Sequence, residues 1–103
     1  MEKEEEMQHV RVATYTITSG TAQEIIRAGE EGMLPVFKRQ PGFLGYGLAH
    51  DGSGTVLSIT RWKTHEAAEN ATVAAAEWVK ENLADRLSLL SNYVGDFGFY
   101  AES

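Results

Sequence analysis

The sequence predicts an α+β domain whose elements follow the order β-α-β-β-α-β, and three observations support this prediction. Two stretches with strand composition, 43–50 and 55–62, flank an Asp-Gly-Ser-Gly loop, a pattern typical of a β-hairpin. Stretches with helical periodicity precede and follow this hairpin. A stretch with strand composition lies near each end of the chain. This order is the split β-α-β arrangement of the ferredoxin-like fold, with a four-stranded antiparallel sheet.

The first half of the chain predicts a strand followed by an interrupted helix. His9–Ile17 is rich in β-branched residues and is predicted to be strand one. Thr21 and Glu24 match a capping box, so the helix should begin there. Its apolar residues recur at spacings of three and four as far as Phe37, and Pro35 within this pattern predicts a bend or restart just before it.

The second half predicts a long helix and a last strand. Thr64 is a suitable N-cap, and residues 65–90 contain neither Gly nor Pro, so a helix is expected throughout that range. The apolar stripe rotates along it, which predicts a bend or two successive helices. Asn92–Tyr100 is predicted to be the final strand.

The predicted hairpin presents apolar residues on both faces of the sheet. Counting inward from the loop pairs His50 with Thr55, so alternate residues share a face. One face then carries Phe43, Gly45, Gly47, Ala49, Val56, Ser58, Thr60 and Trp62. The other carries Leu44, Tyr46, Leu48, His50, Thr55, Leu57, Ile59 and Arg61, joined by Val10 and Val12. Helices can cover the Trp62 side, and a second copy would cover the other, which predicts a homodimer through the open sheet face.

Composition limits the possible functions. The chain has 103 residues, no cysteine and a net charge of −6. Residues 1–7 form an acidic run and are expected to be a disordered tail, which leaves residues 8–103 as one domain. No basic patch suggests nucleic-acid binding, and no apolar run is long enough to cross a membrane. The acidic N-terminus does not resemble a secretory signal, so a cytoplasmic location is expected.

The histidines do not form a recognisable metal motif. His9, His50 and His65 lack ligand-like spacing, and the His65-Glu66-Ala67-Ala68-Glu69 stretch lacks the second histidine of a zinc-protease helix. No metal site is therefore predicted, and a metal could bind only if the tertiary fold brought these residues together.

The Trp62 side of the sheet is the candidate ligand pocket. Large aromatic and small residues alternate there, so a cavity for a planar apolar ligand is predicted between sheet and helices. The alternative is that Trp62 and Trp78 simply fill the core. The predicted pocket residues are Phe43, Gly45, Gly47, Ser58 and Trp62, with Arg11 and Tyr15 as polar groups.

The stretch from Pro41 to Ala71 resembles the antibiotic biosynthesis monooxygenase family. The shared features are a Pro-Gly before strand two, a Trp at the end of strand three, and a helix that begins with Glu-Ala-Ala. The resemblance extends in element order from about His9 onward. It implies a dimeric α+β barrel, in which the oxygenases of the family bind substrate between the sheet and its own helices. Family members include cofactor-independent oxygenases of aromatic polyketides, quinol oxygenases and heme-degrading enzymes.

The heme-degrading branch of that family uses an Asn on strand one, a Trp ending strand three and a His on the following helix. Trp62 matches, but Ala13 stands at the position of the Asn, and no histidine follows His65. Heme degradation is therefore not expected, and no cofactor is predicted.

Two functional hypotheses follow from the resemblance and the pocket. In the first, the protein is a cofactor-independent oxygenase that promotes deprotonation of a phenol or quinol so that the anion reacts with O₂. The catalytic base cannot be identified from the sequence. In the second, the protein is a non-catalytic ligand-binding or structural dimer with the same fold.

Overall fold

The computed structural model describes residues 8–103, so the predicted acidic tail lies outside the described residues. The sheet has the antiparallel strand order β2-β3-β1-β4, which confirms the ferredoxin-like prediction. Within the described part of the chain, no helix is long and apolar enough to cross a membrane. The elements are β1 (His9–Ile17), α1 (Ala22–Ala28), a π-helical turn (Gly29–Met33), α2 (Leu34–Lys38), β2 (Phe43–His50), β3 (Thr55–Trp62), α3 (His65–Asn82) and β4 (Leu87–Asp96).

The first helix is capped and interrupted in the manner that the sequence predicts. The Thr21 hydroxyl accepts a hydrogen bond from the Glu24 amide, and the Glu24 carboxylate accepts one from the Thr21 amide. The interruption is a π turn, closed by a hydrogen bond from the Leu34 amide to the Gly29 carbonyl. Pro35 comes directly after Leu34 and has no amide hydrogen to donate to a helical hydrogen bond, so the helix restarts as α2.

The predicted boundary between the last helix and the last strand is wrong. α3 ends at Asn82, whose side-chain amide donates to the Trp78 carbonyl, and β4 begins at Leu87. Residues 87–90 contain no helix breaker, yet they complete the ladder on β1, where Leu87 pairs with Ile17. Pairing with the strand therefore overrides the helical preference of this stretch.

The hairpin register differs from the prediction by one residue, and Asp51 is the reason. Its carboxylate accepts hydrogen bonds from the Ser53 and Thr55 amides at 2.8 and 3.4 Å, and its own amide donates to the Thr55 carbonyl. These backbone hydrogen bonds, chiefly the one from Ser53, lower the pKa of Asp51. Asp51 is therefore opposite Thr55, and His50 pairs with Val56.

A shift of one residue moves side chains to the opposite face of a sheet. Tyr46 pairs with Thr60 and Leu48 with Ser58, so these two side chains lie under the helices rather than on the open face as predicted. An irregularity between Phe43 and Gly45 restores the predicted pairing of Phe43 with Trp62 at the end of the strand.

The helices cover one face of the sheet and leave the other open. Beneath them lie two buried clusters, one around Trp62 and Phe37 and one around Tyr15 and Ile25. We call the uncovered side the open face; its three central rows are Ser91–Thr14–Leu57–Ala49, Tyr93–Val12–Ile59–Gly47 and Gly95–Val10–Arg61–Gly45.

Candidate active site

A buried arginine is the most unusual polar group of the helix-covered face. Alternation along β1 points Arg11 and Tyr15 toward the helices, where the Arg11 residue is only 2 % exposed. Arg11 Nε donates to Asn92 Oδ1 at 2.7 Å, and Nη2 donates to the Tyr15 hydroxyl at 3.3 Å. Neither partner carries a negative charge, and within residues 8–103 no carboxylate forms a salt bridge with Arg11. A buried cation without a counter-ion favours the binding of an anion.

A small cavity lies beside this arginine, between the sheet and the helices. Its volume is about 30 Å³, which is room for one or two water molecules. Its floor includes Arg11, Tyr15 and Ser58, and Gly29 and Met33 of the π turn contribute to its roof. The interrupted helix and the central strands therefore meet at this point of the fold.

An open groove between α3 and β4 shares Arg11 and Tyr15 with the cavity. Its volume is about 360 Å³, within the range of small-molecule sites. We call it the Arg11 groove. Its apolar walls are formed by Ala76, Val79, Ala84, Leu87 and Leu89, and its polar groups are Arg11, Tyr15, Thr72, Lys80 and Asn92. An aromatic ring can enter this groove, whereas the inner cavity is too small for one.

Tyr46 supplies a neutral phenol to the cavity wall. Burial raises the pKa of Tyr46 far above its ordinary value; Tyr15 adds to this effect and Arg11 opposes it. The hydroxyl therefore keeps its proton and can donate a hydrogen bond. Gly29 allows the π turn to approach this wall, since a Cβ there would lie 2.9 Å from the Tyr46 hydroxyl oxygen and 2.6 Å from Leu48 Cδ1.

The Trp62 end of the same face is closely packed. The ring centroids of Phe37 and Phe43 lie 5.7 and 5.5 Å from that of Trp62, and all these contacts are edge-on. Trp62 is fully buried, and its Nε1 has no hydrogen-bond partner among residues 8–103. The space expected beside Trp62 is therefore filled by aromatic side chains, and the open space lies farther along the sheet.

The structure brings together some of the predicted pocket residues and separates others. Arg11, Tyr15 and Ser58 line the cavity. Gly45 and Gly47 do not form its floor: both lie on the open face, Gly45 beneath the Arg61 guanidinium and Gly47 exposed. This correction follows from the register shift at the hairpin.

Three contributors to the site were missed from the sequence: Tyr46, Leu48 and Asn92. The first two would have been found from the loop, because an aspartate two residues before Ser53 can accept a hydrogen bond from that amide and reset the register. Asn92 had no such signal, since its contact with Arg11 depends on the pairing of β4 with β1.

Comparison with known proteins shows the family of the chain. The family model for antibiotic biosynthesis monooxygenase matches residues 8–76. No curated protein sequence matches significantly.

Solved structures share the fold at low sequence identity. MupZ from Pseudomonas fluorescens has a TM-score of 0.68 at 18% identity, and the match covers 84% of this chain and 69% of MupZ. SnoaB, a cofactor-independent oxygenase from Streptomyces nogalater, has a TM-score of 0.60 at 18% identity, with 93% and 96% covered. Protein SO0527 from Shewanella oneidensis has a TM-score of 0.61 at 20% identity, with 88% and 89% covered. At such identities the similarity shows the fold alone.

Proposed function

Because this chain belongs to the antibiotic biosynthesis monooxygenase family, we propose that it is a cofactor-independent monooxygenase of small aromatic phenols or quinols. The substrate would lie in the Arg11 groove, with its hydroxyl oxygen toward the guanidinium. The second candidate is a non-catalytic protein that binds the same ligands. The absence of Asp, Glu and His from the cavity and groove linings, among the described residues, favours this alternative.

The observation that carries the proposal is the burial of Arg11 without an acidic partner among residues 8–103. A cation in such surroundings lowers the pKa of a phenol placed beside it, because the phenolate then supplies the missing negative charge. The neutral hydroxyl of Tyr46 and that of Ser58 provide further donors near the same point. The apolar walls of the groove can accept the flat faces of an aromatic ring.

The reaction requires no group other than substrate and O₂. No Asp, Glu or His of residues 8–103 lines the cavity or the groove, so the proton passes from the substrate hydroxyl to water. The phenolate gives electrons to O₂; one oxygen atom enters the ring to form a quinone, and the other leaves as water. The substrate supplies both hydrogens of that water, so the reaction balances without an external reductant.

The binding step can be tested with 2-hydroxyanthraquinone, a planar phenol whose ionised form absorbs at longer wavelength. We expect its pKa to fall by about one unit or more when it is bound to the protein. Arg11→Met should abolish this fall while the fold survives, since an apolar side chain of similar length removes a buried charge. Lys80→Met is the matched control: it removes a positive charge from the groove but not the buried one, and should retain most of the effect.

Catalysis is tested separately, by oxygen uptake with a naphthohydroquinone and by detection of the hydroxynaphthoquinone that forms when one oxygen atom enters the ring; the quinone without the added oxygen, formed together with hydrogen peroxide, would not count as monooxygenation. We expect uptake above the protein-free rate with wild type and Lys80→Met, and none above it with Arg11→Met. Binding of the dye without oxygen uptake from any phenol or quinol tested would support the non-catalytic alternative. A dye pKa that falls as far on binding to Arg11→Met as on binding to wild type would refute the role of Arg11.

We also propose that the protein forms a homodimer through the open face, in a reducing cytoplasm. Ile59 and Tyr93 flank Val12 in the middle row of that face and are 37% and 60% exposed in the single chain. An apolar surface of this kind favours association, and a two-fold axis would place the same surface on both partners.

A further inference from the structure

A cluster of metal-ligand side chains lies where three elements of the fold begin or end. His9 is the first residue of β1, His65 is the first residue of α3, and Asp96 is the last residue of β4. The β1–β4 ladder pairs His9 directly with Asp96, and α3 brings His65 to the same point. Residues far apart in sequence are thus juxtaposed by the fold, which is why their spacing gave no metal motif.

The three side chains direct their donor atoms toward one another. Asp96 Oδ1 lies 2.5 Å from His9 Nδ1 and 3.0 Å from His65 Nδ1. The ligand atoms of all three residues lie within 4.8 Å of one another. Metal–ligand bonds of about 2.1 Å in tetrahedral geometry place neighbouring ligand atoms about 3.4 Å apart. Admitting an ion would therefore require Asp96 Oδ1 to separate by about 0.9 Å from His9 Nδ1 and by about 0.4 Å from His65 Nδ1.

The second nitrogen of His65 provides an independent indication. Its Nε2 lies 3.1 Å from the Glu69 carboxylate, one helical turn farther along α3. Histidines that bind metal through one ring nitrogen commonly donate the other N–H to a carboxylate, which fixes the ring and makes the binding nitrogen a better ligand. Glu69 holds His65 in this way, with Nδ1 directed at Asp96.

We propose that His9, His65 and Asp96 bind a divalent first-row transition ion such as Zn²⁺, with Glu69 as the carboxylate that orients His65. Two imidazoles and one carboxylate select such ions over Mg²⁺ and Ca²⁺, which prefer oxygen ligands. The partial exposure of the cluster leaves the fourth position to water. The ion would tie the ends of β1, α3 and β4 together.

The site is distinct from the Arg11 groove and adjacent to Trp62. His9 pairs with Trp62 across the β1–β3 ladder, whereas none of the three ligands lines the cavity or the groove. Binding of an ion at this site should therefore change the thermal stability of the protein and its Trp62 fluorescence, and these changes should not depend on phenol binding or oxygen uptake.

The test uses untagged, chelator-treated protein titrated with Zn²⁺ by calorimetry and with Co²⁺ by visible absorption. We expect one ion per chain, a tetrahedral Co²⁺ spectrum, and a melting temperature that rises with Zn²⁺. Cu²⁺ should quench the emission of a Trp78→Phe protein, in which Trp62 is the remaining tryptophan. Affinity should fall at least about tenfold in His65→Ala and Asp96→Asn, and by about tenfold in Glu69→Gln.

His50→Ala is the matched control, since His50 is the remaining histidine of the chain and lies in the hairpin, outside the cluster. It should bind Zn²⁺ as the wild type does. Glu69→Gln changes an exposed side chain and serves as the folded variant if the ligand substitutions disturb the structure. Equal Zn²⁺ affinity in wild type, His65→Ala and Glu69→Gln would overturn the proposal, as would an equal loss in His50→Ala.

Discussion

The two faces of the sheet are built from the same four strands but differ in what covers them. The helix-covered face contains the fully buried Trp62 and the buried Arg11, and its side chains are fixed by contacts with α1, α2 and α3. The open face exposes apolar side chains such as Ile59 and Tyr93. The buried side chains are therefore concentrated on one side, which also carries the proposed ligand site, and the exposed apolar side chains of the proposed dimer interface lie on the other.

The largest expected effect is the loss of stability when Trp62 on the helix-covered face is replaced. Trp62→Ala should lower the free energy of unfolding by about 3–5 kcal/mol, because it removes a fully buried aromatic ring packed between Phe37 and Phe43. Tyr93→Ala on the open face is the comparison variant and should lower it by less than about 1 kcal/mol in the monomer. Urea unfolding at the lowest workable protein concentration measures both. Equal losses of unfolding free energy in the two variants would show that both faces contribute equally to the stability of the monomer.

The second prediction concerns the oligomeric state of the protein in solution. Light scattering after gel filtration should give twice the chain mass of 11.4 kDa for the wild type. Leu57→Glu should give single chains, because an unpaired carboxylate in an apolar interface costs several kcal/mol. Val73→Glu, on an exposed position of α3, adds the same charge away from the open face and should leave the mass doubled. A wild-type protein that elutes as single chains would contradict the homodimer.

The third prediction has the smallest expected effect and compares the phenol affinity of two glycine variants. Gly47 lies on the open face, and Gly29 lies in the π turn over the helix-covered face. Gly47→Leu should change phenol affinity by less than about twofold, since no described atom lies within 4 Å of a Cβ at Gly47, away from the cavity. Gly29→Ala should weaken phenol binding, because its Cβ would displace the Tyr46 hydroxyl, a hydrogen-bond donor in the cavity that Arg11 also lines and toward which the substrate hydroxyl would point. Titration with the hydroxyanthraquinone measures both, with circular dichroism as the control for folding. A stronger effect from Gly47 than from Gly29 would mean that the ligand binds on the open face.

Much of the fold could be predicted from local signals in the sequence. The capping box at Thr21 and the interruption before Pro35 follow from backbone chemistry that acts over a few residues. The strand order followed from the order of the elements, which is that of the ferredoxin-like fold. The end of α3 could not be predicted in the same way. Residues 87–90 favour a helix by composition but pair with β1, a partner about 70 residues away in sequence.

The candidate site was less predictable than the fold because it depends on register and on long-range pairing. Arg11, Tyr15 and Ser58 were correctly assigned to the helix-covered face, since alternation along β1 and β3 has no interruption there. Gly45 and Gly47 were assigned to the wrong face, because the hydrogen bonds of Asp51 shift the register of β2.

The loop at residues 51–54 also constrains how this protein can vary in length. Surface loops usually tolerate insertions and deletions. Here one residue more or less would turn the Tyr46 and Leu48 side of β2 away from the helices and put Gly45 and Gly47 in their place. Natural variants that change the length of this loop should therefore also change the irregularity between Phe43 and Gly45. Changes at the loop and at the irregularity should occur together in the same variants.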